Sequence, residues 1–156
     1  ASVQMVLYAV LGQPVSQFRL ADEMGFIEEA GTRNYNLIKP FEERGVEILR
    51  SGPFSSREYL RRAVDNGQLS IINIRFDEVS GSAHYVVVVG YNASGFFLND
   101  PWPEEWGEPV GRESGRNVYV SDELLSRLWG FRLNWMLSVA GPDSVVVRAE
   151  VVEEWS

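Results

Sequence analysis

The spacing of apolar residues changes character near the middle of the chain. Before Asn66 and Gly67, apolar residues recur at the three- and four-residue intervals of helices. After these two residues they form continuous or alternating runs that are typical of strands. Helices followed by a mostly antiparallel sheet make an α+β fold, and 156 residues suffice for one domain with its own core. We therefore predict a single α+β domain over residues 1–156.

The helices are predicted from apolar stripes and from the residues that begin and end them. Residues 2–11 carry so few polar side chains that we expect a buried helix, which Gly12 and Pro14 end. Ser16 and Ser121 are predicted to cap two further helices. The predicted helices cover residues 2–11, 17–24, 35–44, a segment that starts at 55–58, and 122–129.

The strands are predicted from short runs rich in β-branched and aromatic residues. The run Leu69–Ile74 is apolar throughout and indicates a central strand. Asn92–Gly95 reads as a tight turn, and the prolines and glycines of residues 102–115 predict a loop. The predicted strands are 46–49, 69–74, 83–91, 95–98, 118–120, 133–139 and 145–151.

The composition of the chain argues against several classes of function. A net charge of −8 argues against a nucleic-acid partner bound through its phosphates. Apolar runs such as Tyr85–Val89 are too short to span a membrane, and no leader segment is seen, which leaves cytoplasmic and mature secreted locations open. With no cysteine, one histidine and no glycine-rich phosphate loop, we expect no metal and no cofactor.

The single histidine, His84, begins a predicted strand, and Asp100 ends the next one in the sequence Asn-Asp-Pro. Two antiparallel strands joined by a short turn bring such positions to the same end of a hairpin. A carboxylate there can accept a hydrogen bond from the imidazole and stabilise its charged form, as in a nucleophile–His–acid triad. By themselves, these residues are more typical of a core or edge histidine of a strand and of an ordinary turn than of a catalytic pair.

The sequence around them resembles the C39-like branch of the papain-fold cysteine peptidases. His84 opens the run His-Tyr-Val-Val-Val-Val-Gly-Tyr, and Asp100 lies in the run Phe-Leu-Asn-Asp-Pro. Residues 11–16, Leu-Gly-Gln-Pro-Val-Ser, and the pair Gly31-Thr32 fit the helical half of the family pattern. The resemblance covers roughly residues 1–102 and implies a papain-like fold in which His84 and Asp100 are catalytic.

The family pattern also implies a nucleophilic cysteine at the amino end of the first buried helix, a position three residues before Ala1. Three explanations remain open. The sequence is a piece of an active enzyme, or a natural pseudo-enzyme, or a chain in which Ala1 replaces the nucleophile as in an engineered variant. Ser2 is a further candidate nucleophile, although a small residue there is more typical of helix packing.

The function implied by the resemblance is hydrolysis of a peptide or related amide bond by a Cys-His-Asp triad. The alternative is an inactive pseudo-peptidase that binds an extended peptide or a partner protein in the same cleft. A third hypothesis is a structural fragment that docks a missing amino-terminal segment through exposed apolar surface. Trp102 and Trp106, beside Asp100, are candidates for an aromatic lid over the substrate, although packing of their loop onto the domain is the commoner role of tryptophan.

Overall fold

A computed structural model describes residues 2–12, 34–75, 84–99 and 118–141 of the chain. These residues form four α-helices, one short 3-10 helix and six strands. The helices are α1 (Ser2–Leu11), the 3-10 helix (Asn34–Ile38), α2 (Lys39–Glu43), α3 (Arg57–Asp65) and α4 (Asp122–Gly130). The strands are β1 (Ile48–Gly52), β2 (Leu69–Ile74), β3 (His84–Tyr91), β4 (Gly95–Asn99), β5 (Val118–Ser121) and β6 (Met136–Val139).

The six strands form one antiparallel sheet in the order β1-β6-β2-β3-β4-β5. In β2 and β3, Ile74 lies opposite His84, and in β3 and β4, Val87 lies opposite Asn99. In β1 and β6, Gly52 lies opposite Met136. The end of the sheet at which β3 begins, here called the His84 end, therefore also holds the last residues of β1, β2 and β4 and the first residues of β6.

Apolar side chains cover both faces of the sheet, because strand side chains alternate between the faces. On one face, α1, the 3-10 helix and α2 pack on strand residues such as Ile71 and Val87. On the other face, α3 and α4 pack on residues such as Ile72 and Val86. This arrangement of helices on both sides of an antiparallel sheet confirms the α+β class.

Serine caps begin the two helices of the second face. The cap Ser121 was predicted, and Ser56 lies within residues 55–58, where a helix start was predicted. The hydroxyl of Ser56 accepts a hydrogen bond from the amide of Tyr59, and that of Ser121 accepts one from the amide of Leu124. Each bond satisfies an amide that the first helical turn leaves without a partner. The boundaries of α3 and α4 therefore follow directly from local sequence.

Two predictions about the helices were wrong. The helix α1 is not buried on all sides: Val3, Val6 and Leu7 are buried, whereas Tyr8 is 58% exposed. The predicted helix 35–44 is a 3-10 turn followed by the short helix α2, which begins beside Pro40. Proline suits a first helical turn because it has no amide to leave unsatisfied, and this favours a new start at that point.

The observed bounds of two strands also differ from the predicted ones. The strand predicted at 46–49 is β1, which begins at Ile48 and extends to Gly52. The strand predicted at 133–139 begins only at Met136, because Leu133 and Asn134 have positive φ angles of 54° and 53° and belong to a turn. The predicted helix 17–24, loop 102–115 and strand 145–151 lie outside the described residues.

Candidate active site

His84 is the first residue of β3 and is almost fully buried, with 7% of its surface exposed. Its position is fixed from one side by β2, where Ile74 lies opposite. The strand that follows β3 in the chain, β4, pairs with it in antiparallel orientation. The predicted hairpin is therefore confirmed, and its last described residue, Asn99, lies toward the His84 end.

The amino end of α1 lies against the beginning of β3. The hydroxyl of Ser2 donates a hydrogen bond of 2.7 Å to the backbone carbonyl of Tyr85, the residue that follows His84. Ser2 is itself buried and is the first residue of the helix. Because the first amides of a helix have no partner within it and carry the positive end of its dipole, this end favours an anion nearby.

The contact also explains Ser2. Its hydroxyl is engaged by a main-chain carbonyl that is 83 positions away in the sequence, so it joins helix and strand. A nucleophilic role would need an exposed hydroxyl beside a base, whereas the side chain of Ser2 is buried. We therefore assign Ser2 a structural role, in agreement with the packing interpretation of its sequence context.

Alternation along β3 places neighbouring side chains on opposite faces of the sheet. Tyr85 packs with the core beneath α1, and Val86 packs with the core beneath α3 and α4. By the same alternation, His84 shares the face of Ile74 and Val86. The amino end of α1 and the imidazole thus approach the same strand end from its two sides.

An aromatic and basic group surrounds Tyr85 and was not predicted from the sequence. The rings of Tyr85 and Trp135 meet edge to face, with 6.0 Å between their centroids. Burial raises the pKa of Tyr85, and the nearby charge of Arg132 lowers it by a smaller amount. No local sequence pattern predicts this group, because residues about 50 positions apart come together only through the pairing of β6, β2 and β3.

The other predicted site residues, Asp100, Trp102 and Trp106, lie outside the described residues. Asp100 directly follows Asn99, whose backbone is described. Within the described ranges, no cluster of three or more acidic, histidine or cysteine side chains has a geometry suited to a metal ion. No helix in the part of the chain that is described has the length and apolar character that a membrane crossing requires.

Comparison with solved structures relates this fold to peptidase domains. A protein described as a C39-like peptidase from Bacillus anthracis matches with a TM-score of 0.66 and 18% identity, over 91% of this chain and 87% of its own. The peptidase domain of Streptococcus ComA, a bifunctional ABC transporter of a quorum-sensing pathway, matches with a TM-score of 0.65 and 18% identity, over 88% and 85%. At this identity the likeness concerns the fold, which is papain-like.

Comparison with protein sequences gives the family. No curated protein sequence matches the chain significantly. The model of the peptidase C39-like family matches residues 1–122, which include α1, the whole of β1–β5 and His84. The chain belongs to the peptidase C39-like family.

Proposed function

We propose that this domain hydrolyses peptide or related amide bonds by a Cys-His-Asp triad in which His84 is the base and Asp100 the acid. The cysteine belongs to residues that precede Ala1 in a longer form of the protein. The 156-residue sequence itself contains no cysteine. Family membership supports a peptide as the substrate, and no cofactor is needed for this chemistry.

The observation that carries the proposal is the contact between Ser2 and the carbonyl of Tyr85. It sets the amino end of α1 beside the strand end at which His84 lies. A cysteine three residues before Ala1 is four residues before Ser2. If the helix continues to it, the thiol lies about 6 Å farther along the axis, beyond the end of the strand and within reach of either face.

The register of β3 and β4 supports Asp100 as the acid. Asn99 lies opposite Val87, so the next residue along the chain is expected opposite Val86, on the face that His84 shares. Diagonal neighbours on one face of an antiparallel pair are close enough for a side-chain hydrogen bond. In a triad of this kind, the acid accepts a hydrogen bond from one nitrogen of the imidazole, and the thiol gives its proton to the other.

The mechanism follows from these roles. His84 takes the proton of the thiol, and Asp100 stabilises the imidazolium that results. The thiolate attacks the carbonyl carbon, the C–N bond breaks, and the leaving amine takes the proton from His84. Water, deprotonated by His84, then hydrolyses the thioester and frees the cysteine. The amides of the first turn of the extended helix, which have no partner within the helix, stabilise both the thiolate and the tetrahedral oxyanion.

The alternative function is a pseudo-peptidase that binds an extended peptide or a partner protein without cutting it. A natural form without cysteine would have this function, because thiol chemistry then has no nucleophile. His84 and Asp100 would in that case bind main-chain groups of the peptide. Trp102 and Trp106 remain candidates for covering the bound peptide in either function.

Intact mass and amino-terminal sequence of the protein from its natural source separate the two functions. The peptidase proposal predicts a longer form with a cysteine shortly before Ala1, and labelling of this cysteine by a thiol-directed probe. A natural form that contains no cysteine would leave only the binding function. Binding of unlabelled extended peptides to that form would then be the next measurement.

A further inference from the structure

Two strained, exposed apolar residues meet at the His84 end of the sheet. Phe54 follows β1 and has a φ of 66°, and Leu133 precedes β6 and has a φ of 54°. Among the described residues only these two and Asn134 combine a positive φ with a side chain other than glycine. Bulky side chains rarely adopt this conformation, and strain of this kind gathers at functional sites.

Hydrogen bonds hold the strained conformations in place. The amide of Phe54 donates to the carbonyl of Leu133 at 2.7 Å, and the amide of Ser55 donates to the carbonyl of Asn134 at 3.1 Å. The side-chain amide of Asn134 returns a bond of 3.0 Å to the carbonyl of Ser55. The indole of Trp129 anchors the turn from within by donating to the carbonyl of Trp135.

The side chains that this backbone presents are directed to solvent rather than to the core. Phe54 is 76% exposed and Leu133 is 60% exposed, the highest values among the large apolar side chains of the described residues. Phe131, in the same turn, is also exposed. A fold that strains its backbone and leaves the resulting side chains in water gains nothing in stability from either feature. Both the strained backbone and the exposed side chains are explained if this surface binds another molecule.

Positive charge borders these side chains, although the chain as a whole carries −8. The guanidinium of Arg75 lies 5.3 Å from the centre of the Phe131 ring. Arg132 stands between Phe131 and Leu133 in the sequence, and its charge reaches Tyr85, next to His84. Apolar side chains beside arginines complement a peptide that carries an apolar residue flanked by acidic ones.

We propose that Phe54, Phe131 and Leu133, with Arg75 and Arg132, form a subsite for an extended peptide substrate whose apolar residue is flanked by acidic residues. The subsite lies at the sheet end where β3 begins, which is also the end at which His84 lies. This inference rests on the proposed function for its substrate, but it is tested by binding alone. We call this group of five residues the Phe54 subsite.

The test measures binding of short fluorescent peptides to the 156-residue chain by anisotropy. One peptide carries leucine between two glutamates; in two matched peptides serine replaces the leucine or lysines replace the glutamates. We expect only the first to bind, and its affinity to fall with added salt, since exposed charges are screened. Equal binding of all three peptides would overturn the specificity that we infer.

Variants at the strained positions separate binding from folding. Asparagine tolerates a positive φ, so Phe54→Asn and Leu133→Asn should keep or raise the melting temperature while weakening peptide binding about tenfold each. The control Tyr8→Gln removes an exposed aromatic side chain from α1 and should leave binding unchanged. Folded asparagine variants that bind as tightly as the parent would overturn the Phe54 subsite without affecting the peptidase proposal.

Self-association is the competing explanation for this surface. If Phe54 and Leu133 instead join two copies of the chain, sedimentation will show a dimer that both asparagine variants dissociate. That result would overturn the inference. A cysteine in the longer form that reacts and cleaves peptides, together with variants that leave binding unchanged, would sustain the proposed function alone.

Discussion

At the scale of single residues, glycine is required at one turn and dispensable at another position. Gly95 begins β4, where a Cβ would collide with the backbone of Val120 and Ser121 in β5. Gly130 ends α4, and a Cβ there would meet nothing. The two positions therefore form a natural matched pair, because the same substitution has opposite physical consequences.

We predict that Gly95→Ala lowers the free energy of unfolding by about 1–3 kcal/mol, because the clash involves backbone atoms that cannot move aside. Gly130→Ala should be neutral or stabilise the fold by up to about 1 kcal/mol, because alanine is the better helix former. Urea denaturation of both variants checks this. Equal stability of the two variants would contradict the close approach of β4 and β5.

The raised pKa of Tyr85 predicts that the folded protein loses stability at alkaline pH. Its pKa is raised in the folded protein, mainly by burial. As the pH passes about 10, the unfolded chain releases the phenolic proton before the folded one does, so unfolding becomes more favourable. Tyr85→Phe should lose less stability than the parent between about pH 8 and pH 11.

The control for this prediction is Tyr91→Phe. Tyr91 also has a raised pKa, chiefly through its hydrogen bond to Asp65, but its ring is only partly buried and this hydrogen bond lies at the surface. Its removal should therefore change the pH dependence less than removal of Tyr85. Chemical denaturation at a series of pH values gives both slopes, and a larger effect at Tyr91 would be inconsistent with burial as the main cause.

At the scale of elements, Arg61 joins three of them. From α3, one of its terminal nitrogens donates to both carboxylate oxygens of Asp122 in α4, at 2.8 and 2.9 Å. The same side chain contacts the β3–β4 hairpin: it lies 4.7 Å from the ring centre of Phe96 and donates to the carbonyl of Asn92. The neighbouring Arg62 pairs with the exposed Glu58, within α3.

We expect Arg61→Ala to lower the free energy of unfolding by about 1–2 kcal/mol. The substitution removes both the ion pair with the two carboxylate oxygens of Asp122 and the cation–π contact with Phe96. Arg62→Ala should cost less than about 0.5 kcal/mol, as exposed pairs within a helix contribute little. Thermal and urea unfolding of the two alanine variants compare them directly. A greater loss at Arg62 would refute the role given to Arg61.

The elements also show how far the sequence could predict the structure. The strand Leu69–Ile74 and the helix Ser2–Leu11 were predicted at their observed bounds, since apolar runs and helix stops are local signals. The strand predicted from residue 133 was too long at its start. Its apolar residues continue the pattern of β6, but hydrogen bonds to residues 54 and 55 hold them in a turn. Such long-range contacts leave no local signal.

At the scale of the molecule, the features to which we propose functional roles lie at one end of the sheet. His84, the amino end of α1 and the Phe54 subsite all lie at the His84 end, although they come from distant parts of the chain. His84 was predicted as a site residue from a resemblance between sequences. The contact of Ser2 with Tyr85 and the strained pair Phe54 and Leu133 required the folded structure, since neither depends on local sequence.

The reactivity of the cysteine that we propose ahead of Ala1, measured as the pH dependence of its alkylation by iodoacetamide, tests the central claim most directly. In the longer form of the protein, a thiolate paired with His84 should react well below pH 8.5, the ordinary pKa of a thiol, and His84→Ala should move the profile to about that value. A native form with no such cysteine, or a profile that the substitution leaves unchanged, would contradict a catalytic centre at His84.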